Sequence, residues 1–332
     1  MSASFVEVHP STSAPQVAMR DAWGNALVEL AATHPDLLVL DGDLANSTKA
    51  DIFAAAVPDR FLEMGIAEQN MIGVAAGLAT VGFVPWISTF AAFLAKRALD
   101  QIRVVVAQPH LNVKLCGSYS GILTGKTGKT HQSVEDIAVF RAMPGMVTIA
   151  PADTVELRSA MAEMMITPGP MYLRLTRDPS PTIFPDDYAF RIGRGVLLRD
   201  GGDVGIISTG VQTVRALDAA NILSTEGIQA SVLHLPTIKP LDDDAVIALA
   251  EKTDRLVTAE DHSIIGGLGG AVAELLAEHR PTRMRRVGWR DVYGESGPND
   301  ALLEKYGLTA RHVAEAAVRL LRDRTSDAGR AS

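Results

Sequence analysis

Short apolar runs alternate with helical segments along almost the whole chain, and that alternation leaves few folds open other than parallel sheets flanked by helices. From Arg20 the pattern predicts a helix over 22–33, strands at 37–40 and 61–66, and a helix over 67–79 in which Gly73 and Gly77 permit close packing. A strand at 84–87 follows, then a helix over about 90–106 with Ser88 or Thr89 as its cap, and strands at 112–115, 146–150 and 171–175. Residues 117–129 lack periodicity and form a long loop, while the prolines of 178–185 mark a linker. Beyond it, strands at 203–209, 230–235, 255–259 and 284–287 are separated by helices over 214–224, 243–252 and 269–278. The expectation is an α/β protein with two doubly wound domains. A flexible arm (1–17) precedes a parallel-sheet domain (18–180), and a linker (181–190) leads to a smaller domain (191–323) and a flexible tail (324–332).

Composition narrows the function classes. A chain of 332 residues that is 47% hydrophobic can bury two cores. Its net charge of -8 disfavours nucleic acid, but a few local arginines are enough to bind a phosphorylated metabolite. Cys116 is the one cysteine, which excludes an internal disulfide and fits the reducing cytoplasm. The first fifteen residues lack the charged flank and apolar core of a secretory signal, and charges interrupt every apolar run before it reaches the length of a membrane span.

Within this frame Glu68 stands out, because it places a carboxylate where an apolar strand turns into a small-residue helix. The ordinary explanation is an acid complementing the helix dipole, a stabilisation of roughly 0.3–1 kcal/mol. Perturbed carboxylates at strand ends are also where catalytic acids are found. Phe90 and Phe93 are spaced to share one helical face, as core residues or as a wall for a planar ring. Arg20, Ser47 and Arg177 each lie near the end of an element, where charge-assisted hydrogen bonds can fix a phosphate. His131 closes the long loop as an uncommitted acid or base. The arginines at 283, 285, 286 and 290 receive no role, and Gly266-Gly-Leu-Gly-Gly270 is taken as a tight helix entry because the dinucleotide spacing is incomplete.

Taken in order, Arg20-Asp-Ala-Trp-Gly24, Asp41-Gly-Asp43 with Asn46-Ser-Thr48, Gly65-Ile-Ala-Glu-Gln-Asn-Met71, Ser88-Thr-Phe-Ala-Ala-Phe93 with Asp100-Gln-Ile-Arg103, and Thr130-His-Gln132 resemble the C-terminal half of transketolase. The resemblance runs from about Arg20 to Leu320. It implies a thiamine diphosphate pyrimidine-binding domain followed by a transketolase C-terminal-type domain. It assigns Glu68 to the aminopyrimidine as its acid/base, Phe90 and Phe93 to the pyrimidine wall, and Asp43 and Ile66 to the cofactor lining. Arg20, Ser47 and Arg177 then hold a sugar phosphate, and His131 lies near the cofactor and the reacting carbonyl. Tyr119 stands where many transketolases carry a substrate-binding histidine, and Thr127 replaces an aspartate that reads a sugar hydroxyl.

The family's diphosphate and magnesium motif is missing, since Leu44 stands where the second glycine of a Gly-Asp-Gly would be, so no metal ligand is assigned here. The resemblance therefore implies a split enzyme. A separate N-terminal subunit holds the diphosphate with magnesium or calcium, and this chain self-associates across a dimer interface, giving a heterotetramer. The implied reaction moves a two-carbon ketol unit from a ketose phosphate to an aldose. Alternative readings are the beta subunit of a 2-oxo-acid dehydrogenase, a deoxyxylulose-phosphate synthase relative, or a noncatalytic module that keeps the fold.

Overall fold

A computed structural model describes residues 3–328. Its strands in chain order are β1 (Ser4–Phe5), β2 (Gln16–Val17), β3 (Leu37–Asp41), β4 (Phe61–Glu63), β5 (Val84–Phe90), β6 (Lys114–Ser118), β7 (Val147–Ile149) and β8 (Met171–Arg174). They continue with β9 (Ser180–Pro181), β10 (Val196–Arg199), β11 (Val204–Ser208), β12 (Ala230–His234), β13 (Thr237–Lys239), β14 (Arg255–Ser263) and β15 (Arg283–Trp289). One sheet has the order β13-β7-β8-β6-β5-β3-β4, parallel except for β13. The other runs β1-β10-β12-β11-β14-β15, with β10 antiparallel to β12 and the next four strands parallel. Strands β3, β5, β6 and β8 are buried along their whole length, as apolar runs covered by helices on both faces must be.

Several local expectations are corrected. Within the described part of the N-terminal arm, β1 pairs with β10 and β2 with β9, so backbone groups expected to be free find partners in the body of the protein. Strand β13 crosses back from the second half of the chain onto β7, interlocking the two sheets. The helix Ala310–Ala328 runs into the segment expected to be a flexible tail, whose last residues, 329–332, lie outside the described residues. Ser88, Thr89 and Phe90 belong to β5 and cap nothing; the short helix Ala91–Leu94 that follows has no side-chain cap. The long helix expected over 90–106 is instead broken into Ala91–Leu94, Leu99–Gln101 and a π-helical turn over Ile102–Ala107. Gly73 and Gly77 are exposed with open space beside them, so among the described residues no neighbour uses the close approach they allow.

In the first sheet the chain passes from β3 outward to β4 and then returns to the other side of β3 as β5. The topological switch point therefore lies between β3 and β5, where loops at the carboxyl ends of the strands diverge and leave a crevice. The candidate residues gather at this edge. Asp43 lies two residues past β3, Ile66 three past β4, Phe90 at the end of β5, Tyr119 one past β6 and Arg177 three past β8.

Candidate active site

Glu68 opens the helix Glu68–Thr80 and is completely buried. Its Oε2 accepts from Arg97 Nη1 at 2.6 Å, while Oε1 is held only by a long 3.4 Å bond from Thr89 Oγ1 on β5. A buried carboxylate is costly unless paired, and here Arg97 supplies the pairing charge from the segment after Phe93. The Arg97 guanidinium also lies over the Phe93 ring, 4.5 Å from its centroid.

Phe90 and Phe93 do come together, although one ends a strand and the other lies in the following turn. Their ring centroids are 5.6 Å apart, and His131 presents its ring at a steep angle to both, at 5.7 and 5.5 Å. Tyr119 stacks on Phe90 at 3.9 Å. The His131 Nδ1 is engaged by Thr130 Oγ1 at 2.8 Å.

Tyr119 also links this aromatic group to the arginines. Arg20 Nη1 donates to the Ser47 carbonyl at 2.9 Å and to the Tyr119 hydroxyl at 3.3 Å, and the Arg177 guanidinium sits 5.4 Å from the Tyr119 centroid. Burial works against the charge of Arg177, but Tyr119 and the neighbouring Asp178 outweigh it and raise its pKa. The Nε atoms of both Arg20 and Arg177 are buried with no hydrogen-bond partner among the described residues, which leaves donor capacity at this corner.

The remaining predicted residues lie around the rim. Asp43 is exposed in a left-handed conformation (φ 64°), and Ile66 is 71% exposed. The Glu63 Oε1 ties their two loops together, accepting from Asp43 N at 3.0 Å and Gly65 N at 2.9 Å. Thr127 lies in a short 3-10 turn and spends its hydroxyl on Thr124, donating to that residue's carbonyl at 2.7 Å.

The loop that carries Tyr119, Thr127 and His131 is fastened from the second half of the chain. Asp261, at the end of β14, accepts from Ile122 N at 2.9 Å and from Trp289 Nε1 at 3.2 Å. Gly121 (φ 68°) presses on that carboxylate so closely that a Cβ would fall 1.9 Å from Oδ2. Arg174 adds a second tie, bonding Asp136 at 2.8 Å and the Asp261 carbonyl at 2.7 Å. Burial alone would push Asp136 up, but the Arg174 guanidinium prevails and holds it below the usual carboxylate range. Asn299 makes a third tie. Its Oδ1 accepts from Gly125 N at 2.9 Å and its Nδ2 donates to Asp178 Oδ2 at 2.7 Å, while Asp178 Oδ1 pairs with Arg177.

Arg97, Glu63, Asp178, Asp261 and Asn299 escape the sequence reading. Only Arg97 left a local signal, four residues beyond Phe93 where a cation can reach back over the ring.

Comparison with known proteins follows the same division of the chain. The pyrimidine-binding domain model of transketolase matches residues 15–181, and the transketolase C-terminal domain model matches residues 193–313. The chain is similar to the 6-deoxy-6-sulfo-D-fructose transketolase subunit SqwH of Clostridium sp. (strain MSTE9), 44% identical over 299 residues that cover 90% of this chain and 93% of that protein. It is 36% identical to an apulose-4-phosphate transketolase subunit of Phocaeicola vulgatus over 307 residues, covering 92% of this chain and 98% of that one. Among solved structures, a split gene transketolase described as an inactive beta4 tetramer aligns with a TM-score of 0.87 at 47% identity, covering 92% of this chain and 99% of its own.

Proposed function

Because the chain belongs to the transketolase family, carrying its pyrimidine-binding and C-terminal domains, we propose that it is the C-terminal subunit of a split transketolase. In this reading it moves a two-carbon ketol unit from a ketose phosphate to an aldose acceptor, together with an N-terminal subunit. The observation that carries the reading is the fully buried Glu68, bonded to Thr89 of β5 and joined through Arg97 to Phe93, whose ring meets Phe90 and His131.

The family depends on thiamine diphosphate, and the residues present fit its pyrimidine end. Glu68 Oε1 has only one long hydrogen bond, so this oxygen is available to exchange a proton with a ring nitrogen. Phe90 and Phe93, with Ile66 and Asp43 at the rim, would hold the ring. When bound, the cofactor supplies the nucleophilic carbon that accepts and passes on the ketol unit. The diphosphate, with its magnesium or calcium, falls to the partner subunit.

The chain's own residues divide the remaining work. Glu68 holds the proton at the pyrimidine, and its burial keeps water from competing for that proton. Arg20 and Arg177, with Ser47, bind the sugar's anionic group, and the buried, unpartnered Nε atoms of the two arginines support that role. His131 steadies or protonates the substrate oxygen. Tyr119 and Thr127 line the path to the sugar hydroxyls. The names of the two relatives, one a sulfo-sugar and one a sugar-phosphate transketolase subunit, support an anionic sugar as substrate.

The solved relative's description as an inactive beta4 tetramer supports both self-association and the need for a partner. The exposed Ile66 and the open Gly73 and Gly77 face offer surface for such contacts, and a heterotetramer is the assembly we expect. Among the described residues no helix is long and apolar enough to cross a membrane, and we place the protein in the cytoplasm.

The test is to purify this chain alone and with an N-terminal transketolase subunit, then measure thiamine diphosphate binding and ketol transfer. Tight binding and transfer are expected only from the pair. Tight magnesium-dependent binding by the lone chain would refute the split enzyme, and pyruvate consumption without ketol transfer would favour the dehydrogenase or synthase reading.

A further inference from the structure

The edge strand β15 gathers the arginines to which the sequence reading gave no role. Arg285, Arg286 and Arg290 face Arg319 and His312 of the helix Ala310–Ala328, and with Tyr306 they line a cavity of about 470 Å³. None of them belongs to the candidate active site. The volume lies within the range of sites for small molecules and well above what a single inorganic ion needs.

Two of the guanidinium groups make no direct ion pair among the described residues. Arg285 pairs with Asp323 at 2.8 Å, and Arg319 with Glu315 at 3.2 Å. Arg286 instead donates to the Ile264 carbonyl at 2.7 Å, and Arg290 to the Arg286 carbonyl at 2.9 Å, so both are oriented by neutral groups. Among the described residues no carboxylate forms an ion pair with either. The buried Glu260 offsets part of the charge of Arg286 without bonding it, its oxygens being taken by the Leu268 and Gly269 N–H groups at 2.7 and 2.8 Å. The Arg285 Nε is also buried without a hydrogen bond. On a chain of net charge -8, such a surplus of fixed positive charge in a concave site selects anions. The planar fork of arginine matches the oxygens of a phosphate.

We propose that this cavity binds a small phosphorylated metabolite, held by Arg286 and Arg290 against a wall formed by Tyr306. The proposal does not depend on the transketolase reading. It has a structural consequence for the active site, because Tyr306 stacks on Trp289 at 4.3 Å and Trp289 bonds Asp261, the residue that fastens Ile122. An occupant of the cavity thus touches the support of the loop that carries Tyr119 and His131.

The probe is inorganic pyrophosphate, titrated into the full chain by calorimetry at low salt. A saturable site that persists in Arg177→Gln is expected, with its affinity weakened at least about tenfold in Arg286→Gln/Arg290→Gln. Because Arg290 is exposed, Arg290→Glu is expected to fold normally and to weaken binding on its own. No saturable binding by the wild type at millimolar pyrophosphate overturns the proposal. So does an affinity that both arginine variants leave unchanged, or the loss of all saturable binding in Arg177→Gln, which would put the anion in the candidate active site.

Discussion

Arg97 closes over Glu68, its Nη1 2.6 Å from the Oε2 of a carboxylate with no exposed surface, while Arg97 itself stays 41% exposed. The arginine holds the acid and covers Phe93 at once, so its removal disturbs both the buried carboxylate and the aromatic pair. Breaking a fully buried pair costs about 3–5 kcal/mol, and the exposure of Arg97 reduces that figure. Arg97→Leu is therefore expected to lower stability by about 1–3 kcal/mol in urea unfolding. Glu68→Gln and Arg97→Leu together should cost less than their sum. A double-mutant cycle with no coupling would contradict the pairing.

Glu68→Gln alone separates chemistry from architecture. The amide keeps an oxygen for Arg97 and nearly the same volume, so folding and assembly with a partner subunit should be preserved. What it loses is the carboxyl that, on the proposed function, exchanges a proton with the pyrimidine. Ketol transfer by the reconstituted enzyme is expected to fall about 10²–10⁴-fold, the usual contribution of general acid/base catalysis. Unchanged turnover would remove Glu68 from the mechanism and favour a noncatalytic module.

Asn299 reaches the Arg177 corner from the far end of the chain, joining Gly125 to the Asp178 that pairs with Arg177. Asn299→Ala frees both, yet touches no group that exchanges a proton. Two lost hydrogen bonds of about 0.5–1.5 kcal/mol each translate into a KM for the phosphorylated sugar raised about tenfold, with kcat changed far less. Asn299→Asp should do no better, because a carboxylate cannot donate to Asp178. A fall in kcat at constant KM would show that Asn299 does not act through Arg177.

The parallel sheets were legible because fully buried strands and amphipathic helices write different periods into the chain. The same residues explain where the reading stopped. Ser88 and Thr89 look like helix caps because hydroxyls prefer that position, but both are buried in β5. Their hydroxyls are satisfied across the switch point, Ser88 on Thr48 at 2.8 Å and Thr89 on Glu68 at 3.4 Å. At the centre of the candidate site, residues singled out by the resemblance, Phe90, Phe93 and His131, do come together, since strand ends converge on one edge. Its supports were not legible: Asp261 meets Ile122 across 139 residues and Asn299 meets Gly125 across 174, separations at which no local pattern records a contact.

Asp41 gives the fold a pH dependence that can be checked directly. It ends β3, and burial pushes its pKa up to about 6, with the charge of Glu63 adding to the rise; bonds from Ser88, the Leu44 N–H and Thr48 pull the other way without cancelling it. In the unfolded chain an aspartate titrates near 3.9. Between about pH 4 and pH 6 the native state therefore holds a proton that the unfolded state has released, and stability falls as pH rises through that window. Above it the full penalty is present. A native pKa about two above the unfolded one corresponds to about 3 kcal/mol at most. Asp41→Asn keeps an oxygen for Leu44 N and offers its amide to the neighbouring hydroxyls, so it should stabilise the chain by about 1–3 kcal/mol near pH 8. That gain should vanish by about pH 4, where the wild-type carboxyl is itself protonated in the native state. Asp153 and Glu260 are also raised by burial, to about 6 and about 7, and tilt the stability of both proteins alike. The quantity to measure is accordingly the difference between variant and wild type in urea unfolding at the two pH values. A larger gain in acid than in base would mean that Asp41 is not the group responsible.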